Sequence, residues 1–314
     1  MKRAVAEEKL RPKIVIILGP TGTGKTDLSL KLAPDLDAEI ISADSMQVYR
    51  FMDIGTAKPS PGDQSRVRHH LIDIVDPDEQ FNAARFAGKA GEIIRRLIAD
   101  GRTVLVVGGT GLYIRALTGG LIDGPSPDRE YRRRQQEDLK KFGAVHLYER
   151  LMDLDAAAAR RIGVNDAMRI IRALEVYERG GESISQTQET HGFRQRCYDF
   201  LKIGLQLPRQ ELYDRINRRC EDMIERGIVD EVRKLLARGY EEKARALHSL
   251  GYKHIISYIR GHLPLEEALR LMQRDTRNFA KRQITWFGAD DDIEWFSPRD
   301  EESILARVRG FLGR

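Results

Sequence analysis

Cysteine is almost missing. Cys197 and Cys220 are the only two in 314 residues, too few and too far apart for a structural zinc cluster or a secreted disulfide framework. No uncharged apolar run approaches the roughly 20 residues that span a bilayer. The opening MKRAVAEEKLRPK carries charges where a signal peptide needs an apolar stretch. The expectation is a cytoplasmic chain, neither exported nor inserted in a membrane. A dominant charge sign is missing too: 53 basic residues face 48 acidic ones, for a net charge of +5 and a pI near 9.1. That balance permits a polyanionic partner without demanding one, because mixed charges also keep helix faces solvated. No internal repeat or low-complexity tract occurs. The remaining 41% of hydrophobic residues suffices for one large domain, or for a core with an insertion.

What is present begins with KIVIIL (Lys13 to Leu18), a β-branched run of the kind that forms a buried parallel strand. GPTGTGKT follows from Gly19 to Thr26, and then a stretch with helical spacing through Leu28, Leu30 and Leu32. Strand, glycine-rich turn and helix in this order make a P-loop, whose amides cradle a diphosphate while Lys25 neutralises it and Thr26 offers a hydroxyl to Mg²⁺. Such a loop is usually read as an ATP site, although any diphosphate ester has the same chemistry. Further strands are expected at AEIISADS (Ala38 to Ser45), HHLIDIV (His69 to Val75), TVLVVGGTG (Thr103 to Gly111), YDFLKIGLQL (Tyr198 to Leu207) and Ile293 to Phe296. Their alternation with helical stretches predicts an α/β fold: a P-loop NTPase-like parallel sheet flanked by helices, carrying an all-helical insertion. The expected division is a first core part at 11–120, a helical insertion at 121–197, and a second core part with C-terminal helices at 198–314.

The strand VLVVGGTG lacks the terminal carboxylate that an ATPase uses to hold magnesium and orient water. The nearest acid at a strand end is Asp44, which suits a general base, a magnesium ligand or a plain turn cap. The GGTG turn lies at the same end of the sheet; its glycines can admit a ligand to the backbone, or serve an ordinary strand-to-helix turn. Arg132, Arg133 and Arg134, with Arg169 and Arg172, suit either RNA phosphates or a solvated face. His69 and His70 have no third partner at metal spacing and read as structural.

Taken together, GPTGTGKT, ISADSMQVYRFMDIGTAKP, HHLIDIVDP, VVGGTGLYIRAL, NDAMRIIRALEVY, SLGYKHI and FAKRQITWF resemble the bacterial tRNA dimethylallyltransferase family over nearly the whole chain. The resemblance implies transfer of a dimethylallyl group from dimethylallyl diphosphate to N6 of the adenine 3′ to the anticodon, in tRNAs reading codons that begin with U. It implies Mg²⁺ as cofactor, the tRNA anticodon stem-loop as partner and a monomeric protein. Donor binding falls to Gly19, Pro20, Thr21, Gly22, Thr23, Gly24, Lys25, Thr26 and Arg219. Asp44 resembles the catalytic base, with Thr110 and Arg132 near the reacting adenine. Contacts to tRNA fall to Asp44, Ser45, Met46 and Gln47, to Met168, Arg169, Ile170, Ile171 and Arg172, and to His248, Ser249, Leu250, Gly251, Tyr252 and Lys253. The rivals are an adenylate isopentenyltransferase making a free cytokinin, a P-loop kinase of a small metabolite, and a non-catalytic RNA-binding protein. Against the first, a mononucleotide acceptor needs no second, arginine-bearing domain.

Overall fold

The apolar runs assemble into one sheet in the computed structural model, which describes residues 11–120, 125, 128–181, 183, 185–186, 197–242 and 244–314. The strands are β1 (Lys13–Leu18), β2 (Ala38–Ser42), β3 (His69–His70), β4 (Thr103–Gly108), β5 (Asp199–Leu205) and β6 (Ile293–Phe296). They lie in the order β3-β2-β4-β1-β5-β6, with every neighbouring pair parallel. The helices are α1 (Lys25–Asp35), α2 (Pro61–Arg66), α3 (Ala83–Ala99), α4 (Gly111–Gly119), α5 (Arg129–Leu154), α6 (Ala156–Ile162) and α7 (Ala167–Gly180), then α8 (Arg209–Glu225), α9 (Ile228–Ala237), α10 (Tyr252–Ile259), α11 (Leu265–Phe287) and α12 (Glu301–Leu312). The chain clusters into two compact units, Met1–Thr118 with Cys197–Arg314, and Gly119–Arg196. The expected joints near 121 and 197 adjoin segments 121–124 and 187–196, which lie outside the described residues. Among the described residues no helix is long and apolar enough to cross a membrane.

In the first unit, Val15, Ile17, Leu105, Val107, Leu201 and Ile203 pack with Leu28 and Leu32 of α1 and with Ile304 and Val308 of α12. The alternate residues Ile14, Ile16, Val104 and Val106 are equally buried, so the central strands read as continuous apolar runs rather than alternating ones. On α3, Phe86, Ala90, Ile94 and Leu97 form a single buried stripe at helical spacing. Register sets Leu18 beside Gly108 and Ser42 beside Val107. The loops leaving β1, β2 and β4 therefore emerge together at the carboxyl end of the sheet, where parallel α/β folds place ligands.

The strand expected from His69 to Val75 stops after His70. Leu71 and Asp73 take positive φ values of 63° and 56°, which a strand does not accommodate. The turn they make brings Asp73 to Lys58, whose Nζ donates to its Oδ1 at 2.6 Å, and Val75 regains only an isolated bridge to Tyr49.

Candidate active site at the carboxyl end of the sheet

A cavity of about 370 Å³ opens where those loops meet. The glycine-rich turn shapes one wall. A Cβ on Gly19 (φ 141°) would lie 2.6 Å from the Leu205 carbonyl oxygen, so the turn hugs β5 only because that residue has no side chain. Thr23 Oγ1 and Lys25 Nζ both donate to the Pro20 carbonyl, at 2.9 and 2.7 Å. The loop is thus braced from within, while Thr21, Lys25, Thr26 and Ser29 reach the cavity. Burial pushes the Lys25 ammonium down to about 7, the charge of Arg219 adds to that, and Asp44 opposes it. Arg219, delivered by α8, is itself lowered by burial while Asp44 favours its charge. Two cations and one carboxylate therefore share a poorly solvated space, an arrangement that leaves unmet demand for anions.

Asp44 follows β2 directly. Its Oδ1 accepts from the Met46 and Gln47 amides at 2.7 and 3.3 Å, so Asp44 caps its own turn and also lines the cavity. The Ser45 amide donates to Thr110 Oγ1 at 3.0 Å, tying this turn to the end of β4. Gln47 Oε1 accepts from Ser42 Oγ at 2.9 Å, and its amide nitrogen reaches the Thr56 and Ala57 carbonyls at 3.5 and 3.3 Å. The GGTG glycines are required by packing, and Gly108 and Gly109 also line the cavity. An added Cβ would meet the Ala43 carbonyl oxygen at 2.2 Å from Gly108, the Gln283 side chain at 2.5 Å from Gly109, and the Trp286 ring at 2.2 Å from Gly111.

The AKRQITW motif holds an organising residue, Gln283, that its local sequence does not single out. Gln283 on α11 accepts from the Thr21 amide at 2.9 Å and donates to the Gly109 carbonyl at 2.8 Å. It joins the glycine-rich loop to the end of β4 across 262 residues of sequence, a separation that no local pattern reveals. The same cavity has an apolar lining at Ile216, Met223, Met272 and Phe279. Burial pushes the Cys220 thiol up to about 11, so it stays protonated as part of that lining.

His248, Ser249 and Leu250 also line the cavity, and Lys253 pairs with Asp275 at 2.8 Å. Tyr252 requires a correction as a tRNA contact, because it is 0% exposed. Its hydroxyl donates to Glu231 at 2.6 Å, and its ring would lie 2.4 Å from a Cβ on Gly55. Glu231 in turn accepts from the amides of Asp53, Ile54 and Gly55. The DIGTAKP motif is therefore a loop pinned from below by Glu231 and clamped by Lys58, whose Nζ donates to the Tyr49 carbonyl, Asp53 and Asp73.

The second unit needs the same correction at Ile170 and Ile171. These two residues are 0% and 1% exposed and pack with Leu147, Leu151 and Leu174 in that unit's core, which leaves no surface for tRNA. Their helix, α7, starts at Asp166, which accepts from the Arg169 amide, and it presents Met168 and Arg169 to solvent. Arg132 and Arg172 converge on the carboxylate of fully buried Glu175, each at 2.7 Å.

The sequence model of the IPP transferase family matches residues 47–290. The chain is 51% identical over 302 residues to tRNA dimethylallyltransferase 2 of Syntrophus aciditrophicus, covering 96% of this chain and 97% of the relative. It is 46% identical to the tRNA dimethylallyltransferase of Geobacter sulfurreducens, covering 96% and 98%. Among solved structures it resembles the full-length tRNA isopentenylpyrophosphate transferase of Bacillus halodurans, with TM-score 0.72, 38% identity and coverage of 96% and 97%. A eukaryotic dimethylallyltransferase acting on tRNA aligns with TM-score 0.78 and 29% identity, over 92% of this chain and 74% of that one.

Proposed function

The chain belongs to the IPP transferase family, and we propose on that premise that it moves a dimethylallyl group from dimethylallyl diphosphate to N6 of the adenine 3′ to the anticodon, in tRNAs reading codons that begin with U. It is a transferase that modifies tRNA. The observation that carries the finer reading is a single cavity uniting Lys25, Thr26 and Arg219 with Asp44 and an apolar wall. The cations and loop amides receive the diphosphate, and Ile216, Met223, Met272 and Phe279 receive the five-carbon chain. On the same reading the protein acts as a monomer in the cytosol.

In the transfer, the allylic C–O bond breaks, a C–N bond forms to N6, and the N6 proton leaves. Charge grows on the departing diphosphate, where Lys25 and Arg219 stabilise it without reorganising. Adenine N6 is a weak nucleophile because its lone pair is delocalised into the ring. It acidifies as the new bond forms, so a carboxylate of ordinary strength, Asp44, suffices to take the proton. Thr110 holds the Asp44 turn through the Ser45 amide. An unpaired loop base costs least to unstack, a few kcal/mol at most, which makes an anticodon loop a workable acceptor.

The Thr26 hydroxyl and Asp44 carboxylate in one cavity fit Mg²⁺, which takes one or two protein oxygens and fills its shell with phosphate oxygens and water. When bound, the ion neutralises charge on the diphosphate. Purified protein, Mg²⁺ and labelled dimethylallyl diphosphate, offered unmodified tRNA, AMP or no acceptor, test the proposal. Label is expected in tRNA alone; label in AMP indicates free-cytokinin synthesis, and phosphoryl transfer from labelled ATP to a metabolite indicates a kinase.

A further inference from the structure

The DIGTAKP loop also lines a second cavity, of about 400 Å³. Phe51, Asp53 and Ile54 line it from the loop, and Arg226, Lys234 and Arg238 line it from α9 and its approach. Its acids are accounted for. Asp53 pairs with Lys58 at 2.5 Å, Asp230 with Arg233 at 3.1 Å, and Glu231 holds the loop amides and Tyr252. Among the described residues, Arg226, Lys234 and Arg238 have no carboxylate within ion-pair distance, and all three are exposed. Lys234 and Arg238 stand one turn apart on the same helix face.

The aromatic at this site is held out deliberately. Phe51 is 41% exposed with φ at 67°, a left-handed conformation that a bulky residue adopts only under constraint from its surroundings. The Arg238 guanidinium lies 3.8 Å from the Phe51 ring centroid, with Tyr240 behind at 6.5 Å. A guanidinium over an exposed aromatic, beside two further cations, is chemistry that receives phosphodiesters and an unpaired base.

We propose that this cavity is a second RNA subsite, which takes phosphates and one unstacked base of the tRNA substrate outside the cavity where transfer occurs. The inference rests on the tRNA reading above. It also couples the two cavities, because Gly55, Thr56 and Ala57 of the same loop line the first. RNA seated against Phe51 thus steadies the wall against which the acceptor is held.

The test compares wild type with two triple variants carrying equal charge loss: Arg226→Gln/Lys234→Gln/Arg238→Gln, and Lys89→Gln/Arg95→Gln/Arg96→Gln on the exposed side of α3. Affinity for unmodified tRNA is measured from 50 to 300 mM salt, together with donor affinity and the melting temperature. The first triple should weaken tRNA binding at least tenfold at 150 mM salt. It should also flatten the log–log salt slope by about two, as expected for three phosphates at roughly 0.7 each, with donor affinity and melting unchanged. The α3 triple should change the slope by less than half as much. Equal loss in both triples, or wild-type tRNA affinity in the first, overturns the subsite; the second outcome leaves the patch to a protein partner. Phe51→Ala should add a loss that salt does not alter, and the exposed triple keeps the test valid if a change at this left-handed position unfolds the loop. Failure of the wild type to prenylate tRNA at all would indict the functional proposal instead, so the two failures are separable.

Discussion

Lys25 shows how burial sets chemistry at a single residue. Its ammonium titrates near 7 because burial and Arg219 outweigh the pull of Asp44, whereas an unfolded lysine titrates near 10.4. The unfolded chain therefore holds the extra proton between those values. Stability rises with pH across that window, and the full penalty is present below 7. Lys25→Met should raise the melting temperature at pH 6 to 7, read by calorimetry, while abolishing donor binding and sparing tRNA affinity. A bound diphosphate restores the proton, so wild-type donor affinity should fall as pH rises above about 7, by up to roughly tenfold per unit. Titration calorimetry in buffers of different ionisation enthalpy should find close to one proton taken up; no uptake at pH 8 would mean Lys25 is already charged. Asp44 separates differently. Its Oδ1 caps a turn, a role Asn also fills, so Asp44→Asn should preserve fold and binding. It should lose a factor of about 10² to 10⁴ in single-turnover transfer if the carboxylate is the base. Recovery at high Mg²⁺ would make it a metal ligand, and near-normal transfer would leave it a cap alone. Gln283→Ala removes both bonds between the loop and β4. It should destabilise by about 1–3 kcal/mol and raise the donor KM more than it lowers kcat.

Elements divide by whether their cause is local. The strand-to-P-loop-to-α1 run was legible because apolar spacing and glycines specify it locally; α3 has equally local causes, since Asn82 caps it by accepting from the Arg85 amide and Asp100 follows its end. The strand read across His69 to Val75 was not, because the signal that ends it is an ion pair from Asp73 to Lys58, 15 residues away. Tyr252, Ile170 and Ile171 were misplaced for a related reason. A helical segment can carry contact residues on one face while its neighbours in sequence point inward, and only packing reveals which do. The DIGTAKP loop depends wholly on distant support. Three of its amides donate to Glu231, which is 178 residues on from Asp53. Glu231→Ala leaves those amides, and the hydroxyl of fully buried Tyr252, without their acceptor, for a loss of about 1–3 kcal/mol. Amide exchange at residues 53–57 should accelerate before that of the β strands. Transfer to tRNA should slow while donor affinity holds, since the P-loop does not rest on this element. Unchanged exchange at 53–57 would show that Lys58 alone fixes the loop.

For the whole molecule the open matter is which arginines meet RNA and which hold a unit together, and net charge cannot tell them apart. In the second unit, Arg169 is 66% exposed and pairs at 3.4 Å with a partly exposed Asp166, an interaction of little stability value. Arg172 and Arg132 close instead on Glu175, which is fully buried. Burial alone would raise the Glu175 carboxyl, but hydrogen bonds from Arg132, the Asp128 amide and Arg172 hold it below its ordinary value. Removing a partner from such a carboxylate strands a buried charge, at about 3–5 kcal/mol when no partner remains. Arg169→Ala should therefore weaken tRNA binding, flatten its salt slope by about 0.7 and leave melting unchanged. Arg132→Ala should lower the melting temperature, and Arg132→Ala with Arg172→Ala should lower it further. Glu175→Gln added to Arg132→Ala neutralises the stranded charge and should return most of that stability. The rescued protein then decides whether Arg132 also takes part in transfer. If its single-turnover rate at saturating tRNA and donor remains at least 10²-fold below wild type, Arg132 acts on the reacting groups. If the rate returns along with the melting temperature, Arg132 is a bolt for α5 and α7, and the catalytic set contracts to the residues of the sheet's carboxyl end.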